Sequence, residues 1–128
     1  MRYLLDTHTF MWWDANSDNL SQTVFDIINN ENNIIYLSLV SVWEMAIKVQ
    51  LGKLPLRGDL DSIIVEQQEN NDIQILSIEL AHTLKVIDLP LHHKDPFDRL
   101  LIAQSMVEDI PILGKDAIFQ KYDAEVLW

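Results

Sequence analysis

The sequence contains no cysteine. Disulfide staples and thiolate metal ligands are therefore excluded. No apolar run approaches the ~20 residues that cross a bilayer as a helix. The apolar stretch after Met1 is broken at once by Asp6, too soon for a secretory signal. Internal repeats, low-complexity tracts and linker-like stretches are absent. Basic residues are scarce: 9 Lys and Arg stand against 20 Asp and Glu, a formal net charge of −11. A chain this acidic is a poor passive binder of nucleic acid, which normally needs a basic surface. It can still act on a phosphodiester if part of its negative charge sits at a metal site, because bound cations invert the local field. The expectation is a cytoplasmic protein with no membrane span.

What is present is a core. The 128 residues are 48% hydrophobic, which suits one globular domain over residues 1–128. Strand-like and helix-like patterns alternate along the whole chain. Arg2–Asp6 reads as a buried strand and Thr7–Ala15 as a helix. Ser21 is placed to cap a helix through Asn30. Ile34–Ser38 is a β-branched and aromatic run, hence a strand. Val40–Leu51 follows as a helix, with Gly52 at the position just past its end. Asp59 or Asp61 is placed to cap a helix through about Glu69. A strand at Ile73–Leu76 and a helix over Ile78–Val86 come next. Asp95-Pro96 opens a helix through Glu108. Ile110–Leu113 reads as a strand, Ala117–Tyr122 as a short helix and Glu125–Leu127 as a last strand. Strands separated by helices predict a mainly parallel central sheet in a three-layer α/β/α sandwich. In such sheets, sites form beyond the carboxyl ends of the strands.

That rule singles out four acids. Asp6 ends the first strand, and Asp116 follows Gly114 just past the strand at Ile110–Leu113. Glu44 lies in the helix entered from the second strand, and Asp98 in the first turn of the helix opened by Asp95-Pro96. Each has an ordinary alternative. Asp98 suits the positive end of its helix dipole. Glu44 has Lys48 four residues on, the favoured order for a helix ion pair. Asp116 is placed to cap the short helix after it. Asp6 is the hardest to explain away, because an acid at the end of an apolar strand is costly to bury alone. Together the four suit a different purpose. Hard divalent cations take oxygen ligands, which carboxylates supply. Two such cations about 3.5–4 Å apart activate water and stabilise the leaving oxygen of an otherwise unreactive phosphodiester.

The same residues resemble a known family. Leu4-Leu5-Asp6-Thr7-His8, Ser41-Val42-Trp43-Glu44-Met45-Ala46-Ile47-Lys48, Leu51-Gly52-Lys53-Leu54, His93 through Gln104 and Gly114-Lys115-Asp116 are, in order, similar to PIN domains, in particular the VapC-type toxins of bacterial toxin–antitoxin modules. The resemblance covers the chain from first strand to last. It implies an endoribonuclease dependent on Mg²⁺ or Mn²⁺, hydrolysing RNA by metal-activated water and leaving 5′-phosphate and 3′-hydroxyl ends. Asp6, Glu44, Asp98 and Asp116 are then the metal-binding set, with Asp6, Asp98 and Asp116 on one metal and Glu44 helping with a second metal or a water. Thr7 supplies the hydroxyl such domains often place beside the first acid. Gly114 departs from the family, which often has Thr or Ser there. Asp95 is then the helix cap, with a supporting role at the metal as the alternative. Arg99 and Lys48 are candidate phosphate contacts, or partners of nearby acids. The histidines stay outside the core site. The implied partners are RNA, a cognate antitoxin and a second copy of this chain. The competing reading is a PIN-like interaction module without nuclease activity, using Trp12, Trp13 and Trp43 as interface anchors.

Overall fold

A computed structural model describes residues 1–128. The elements run β1 Arg2–Leu5, α1 Thr7–Asp14, α2 Gln22–Ile28, β2 Ile34–Ser38, α3 Leu39–Gln50, α4 Leu60–Asn71, β3 Gln74–Leu76, α5 Leu80–Lys85, α6 Pro96–Glu108, β4 Ile112–Leu113 and β5 Val126–Leu127. Two 3-10 turns, Val86–Asp88 and Ala117–Lys121, complete the chain. The strands form one sheet in the order β3-β2-β1-β4-β5, and every pairing is parallel. The expected α/β/α sandwich is therefore present, with a sheet that is parallel throughout.

Alternation along the strands builds the two outer layers, because successive side chains point to opposite faces. Tyr3 and Leu5 of β1, Ile35 and Leu37 of β2 and Leu113 of β4 pack in one apolar cluster with Phe10 and Trp13 of α1, Val24 and Ile28 of α2 and Ile63 of α4. Leu4 and Ile112 face the other way, against Leu101, Ile102 and Ala103 of α6. Helix α3 serves both layers, with Val40 in the second cluster and Met45 in the first. Ser38 starts it directly from β2, its Oγ accepting from the Val40 N–H at 3.0 Å. This keeps α3, and Glu44 on it, close to the carboxyl end of β2.

Several boundaries differ from the sequence reading, each for a local reason. β4 is only two residues long. Ile110 closes α6 instead, its N–H donating to the Ser105 carbonyl and its own carbonyl accepting from Ser105 Oγ. Pro111 has no N–H to give the ladder. Ile73 likewise donates to the Gln67 carbonyl at the end of α4, and β3 starts at Gln74. The segment after Asp116 is a 3-10 turn rather than an α-helix. Asp59 occupies the N-cap position of α4 without making a capping hydrogen bond. Gly52 does follow the end of α3 with φ of +68°, a conformation that costs glycine nothing.

Chain order places the site. From β1 the chain moves outward through β2 and β3, then returns to the other side of β1 for β4 and β5. β1 and β4 are thus neighbours with diverging connections, and a crevice forms beyond their carboxyl ends. Asp6 follows β1, and Gly114 follows β4.

Candidate functional site

Asp6 is the residue where β1 becomes α1. Its backbone is still extended, and Oδ1 accepts from the His8 N–H at 3.2 Å, which caps the helix. The residue is buried, with 4% of its surface exposed. Oδ2 receives no protein donor, yet no buried side-chain oxygen in the structure lacks a partner, so Oδ2 is open to solvent. Burial pushes the carboxyl up to about 6, against the opposing pull of the His8 charge and backbone N–H, and the negative charges of Asp98 and Glu44 push it further. Gly114 explains how β4 fits against this group. A Cβ on residue 114 would lie 3.2 Å from both Cβ and Oδ2 of Asp6. The departure from Thr or Ser at this position therefore clears space beside Asp6.

Glu44 projects from α3 and is buried too. Thr7 Oγ1 donates to Glu44 Oε1 at 2.8 Å and lies 2.9 Å from Ser41 Oγ. Lys48 donates to Oε2 at 3.0 Å, the ion pair expected from the four-residue spacing. Thr7 thus ties the start of α1 to α3, and Asp6 and Glu44 are held on the same side of the molecule.

Asp98 sits in the first turn of α6, half-buried. Asp95 takes over capping, its Oδ1 accepting from the N–H groups of Phe97 at 2.9 Å and Asp98 at 3.0 Å. The Asp98 carboxylate is thereby released from capping. Burial pushes it up to about 6, helped by the charges of Asp95 and Glu44 and opposed by a hydrogen bond and charge from His93. The structure therefore gathers Asp6, Glu44 and Asp98, from three separate elements, within electrostatic reach of one another.

Asp116 joins them less closely. It is exposed, and its Oδ1 caps the following turn by accepting from the Ile118 N–H at 3.0 Å. It is not among the charges that perturb Asp6 or Asp98. No three acidic or histidine side chains stand close enough to form a ready-made metal cage. The donor set is nonetheless hard oxygen throughout, with two oxygens of Asp6 and Asp98 unengaged. That suits Mg²⁺, which is commonly held by one or two carboxylates and keeps several waters.

Two residues behave differently from their sequence reading. Arg99 is buried and meets no acid. Its guanidinium donates to the carbonyls of Pro90 at 2.8 Å, Val86 at 3.3 Å and Leu89 at 3.4 Å, and to Tyr122 Oη at 3.1 Å. It anchors the segment before α6, with its guanidinium engaged by these partners. His93, set aside in the sequence, lies beside the site with Nε2 3.3 Å from Asp98 Oδ2 and Nδ1 2.7 Å from Tyr122 Oη. Its one signal in the sequence is its place five residues before Asp98, at the start of the most distinctive motif. Of the tryptophans, Trp13 is core, Trp43 is 54% exposed and packs edge-on against Phe97 with ring centres 5.0 Å apart, and Trp12 lies between His8 and Trp128. The largest surface hollow, about 410 Å³, lies at the opposite ends of β2 and β3, lined by Asn29, Asn30, Asn70 and Asp72.

No curated protein matches the sequence. Among solved structures, the chain is similar to VapBC2 from Rickettsia felis bound to a DNA fragment from its promoter, at 15% identity and a TM-score of 0.75 over 100% of this chain and 99% of that one. It is also similar to FitAcB from Neisseria gonorrhoeae, at 17% identity and a TM-score of 0.65 over 98% and 96% of the two chains. DNA-bound VapBC from Salmonella typhimurium gives 9% identity and a TM-score of 0.69 over 99% and 97%. At these identities the likeness is one of fold. The sequence itself matches the PIN domain over residues 3–125, and the chain belongs to the PIN domain family.

Proposed function

We propose that residues 1–128 form a single nuclease domain, a metal-dependent endoribonuclease that acts as the toxin of a toxin–antitoxin module. PIN domain toxins are nucleases in general; the RNA substrate and the metal are our reading. The observation that carries it is the gathering of Asp6, Glu44 and Asp98 from three elements beyond the carboxyl end of β1, with Asp6 and Asp98 both held up to about 6 by burial and by neighbouring negative charge. A fold gains no stability from like charges half-buried together, so the arrangement suits a bound cation.

The residues divide the work by what already engages them. Asp6, through Oδ2, and Asp98 have oxygens free to hold Mg²⁺ or Mn²⁺ directly. Both oxygens of Glu44 are engaged, by Thr7 and Lys48, so Glu44 acts best through a water or at a second ion. Asp116 keeps Oδ2 free of its capping bond and stands just past β4, so its part is that of an outer ligand joining once an ion is bound. The chemistry such an ion supplies is activation of water and offset of the phosphodiester charge. Thr7 and Lys48 fix Glu44 before substrate arrives, and Asp95 does the capping that would otherwise occupy Asp98. The cytoplasm is the expected location.

The names VapBC and FitAB belong to complexes, which supports a cognate antitoxin as partner, alongside a homodimer. The test is cleavage of RNA by the purified chain with Mg²⁺, with Mn²⁺ and with EDTA. Cleavage should need the metal, leave 5′-phosphate ends, and be lost in Asp6→Asn and Asp98→Asn. Cleavage undiminished in EDTA would overturn the metal reading. A chain that cuts no RNA while binding an antitoxin would favour the interaction module.

A further inference from the structure

Arg99, Tyr122 and His93 form a hydrogen-bonded chain leading to Asp98. Arg99 stays protonated in proteins and has no acceptor, so its Nη1, 3.1 Å from Tyr122 Oη, must donate there. The tyrosine oxygen is then an acceptor on that side, and its own proton is free for His93 Nδ1, 2.7 Å away. With that proton on the Tyr122–His93 bond, Nδ1 is the acceptor of the ring, an arrangement favoured because an ionised Asp98 facing Nε2 can only accept. In the neutral imidazole the remaining proton sits on Nε2, which faces Asp98 Oδ2 at 3.3 Å. Tyr122 is buried and lies edge-on to the His93 ring, their centres 5.5 Å apart and planes at 62°. Arg99 in turn is fixed by the carbonyls of Val86, Leu89 and Pro90. Each member is held by the one behind it.

We infer that His93 is a positioning residue for the metal site. Arg99, through Tyr122, and the Asp98 carboxylate together favour the Nε2–H tautomer, so that His93 donates to Oδ2 of Asp98 and leaves the other carboxylate oxygen free to hold an ion. This inference rests on Asp98 being a metal ligand. Hydrogen-bonded outer partners orient metal-binding side chains, and losing one commonly weakens metal binding or activity by about 10–100-fold. Asp98 needs such a partner more than Asp6 does, because Asp95 has taken the helix N–H groups that would otherwise steady it.

The experiment has a metal-free arm and a metal arm, both on the full chain. Nitrogen-15 correlation spectra of the side chain at pH 8 should show His93 as the Nε2–H tautomer, shifting toward a mixture in Tyr122→Phe. Mn²⁺ binding, followed by the EPR signal of free Mn²⁺, should weaken about 10–100-fold in His93→Ala. His93→Gln, whose amide N–H can take the place of Nε2–H, should recover part of it. Tyr122→Phe should add little on top of His93→Ala, because it acts through the histidine. A merely structural role would lower thermal stability and leave Mn²⁺ affinity unchanged in the folded chain. An Nδ1–H tautomer, or His93→Ala binding Mn²⁺ as tightly as the parent, overturns the inference. A parent chain that binds no Mn²⁺ overturns the metal reading and this role with it, and the tautomer result tells the two failures apart.

Discussion

Replacing Asp6 with Asn should stabilise the metal-free protein while abolishing its activity. The carboxyl is raised from its ordinary 3.8 to about 6, chiefly by burial. Disfavouring the ionised form by that much amounts to roughly 3 kcal/mol at 1.36 kcal/mol per pH unit. The folded state therefore binds this proton more tightly than the unfolded chain does. The contribution of Asp6 to stability is greatest below 3.8, falls as pH rises toward 6, and is level above it. Asn keeps an oxygen for the His8 N–H, so the helix cap survives. At pH 7.5 the gain for Asp6→Asn should be about 1–3 kcal/mol, the upper value being the whole burial and repulsion cost. For a chain of this length that is roughly 3–10 °C in melting temperature. Paired urea titrations in EDTA should show the difference level down to about pH 6 and shrinking between there and pH 4. A variant less stable than the parent at pH 7.5, or a difference independent of pH, would refute the reasoning.

Other outcomes follow from the same contacts. Protons compete with the metal at Asp6 and Asp98, both raised to about 6. Mn²⁺ affinity, measured by calorimetry, should therefore fall by about tenfold per pH unit below 6 for each proton displaced, and be level above 7. Thr7→Val removes the donor to buried Glu44 Oε1 and should cost about 1–3 kcal/mol in urea unfolding, besides slowing cleavage. Arg99→Leu leaves the carbonyls of Leu89 and Pro90 without their donor and that of Val86 with the Leu89 N–H alone. Denaturant titration should show a loss of roughly 2–4 kcal/mol.

The sequence was readable where local chemistry and periodicity agree. Short, nearly continuous apolar runs in β1 and β2 announced a buried sheet, and Asp95-Pro96 announced the start of α6 with its cap. Asp6 stood out because an acid closing an apolar strand needs a reason. Boundaries failed where a backbone group had two claimants: the Ile110 N–H closes α6 rather than joining β4, a choice made by tertiary geometry. The roles of Arg99 and His93 stayed open in the sequence for a related reason. Their partners are carbonyls, which carry no sequence signal, and Tyr122, which lies 29 residues from His93. The side-chain direction of Asp116 depends on the 3-10 turn that follows, and a motif does not encode it.

The most direct measurement is a crystal of the chain grown with Mn²⁺, with the ion located by its anomalous scattering. The account predicts a peak at the carboxyl ends of β1 and β4, ligated by Asp6 and Asp98 and lost in Asp6→Asn. A peak ligated by neither residue, or no peak at saturating Mn²⁺, would contradict it.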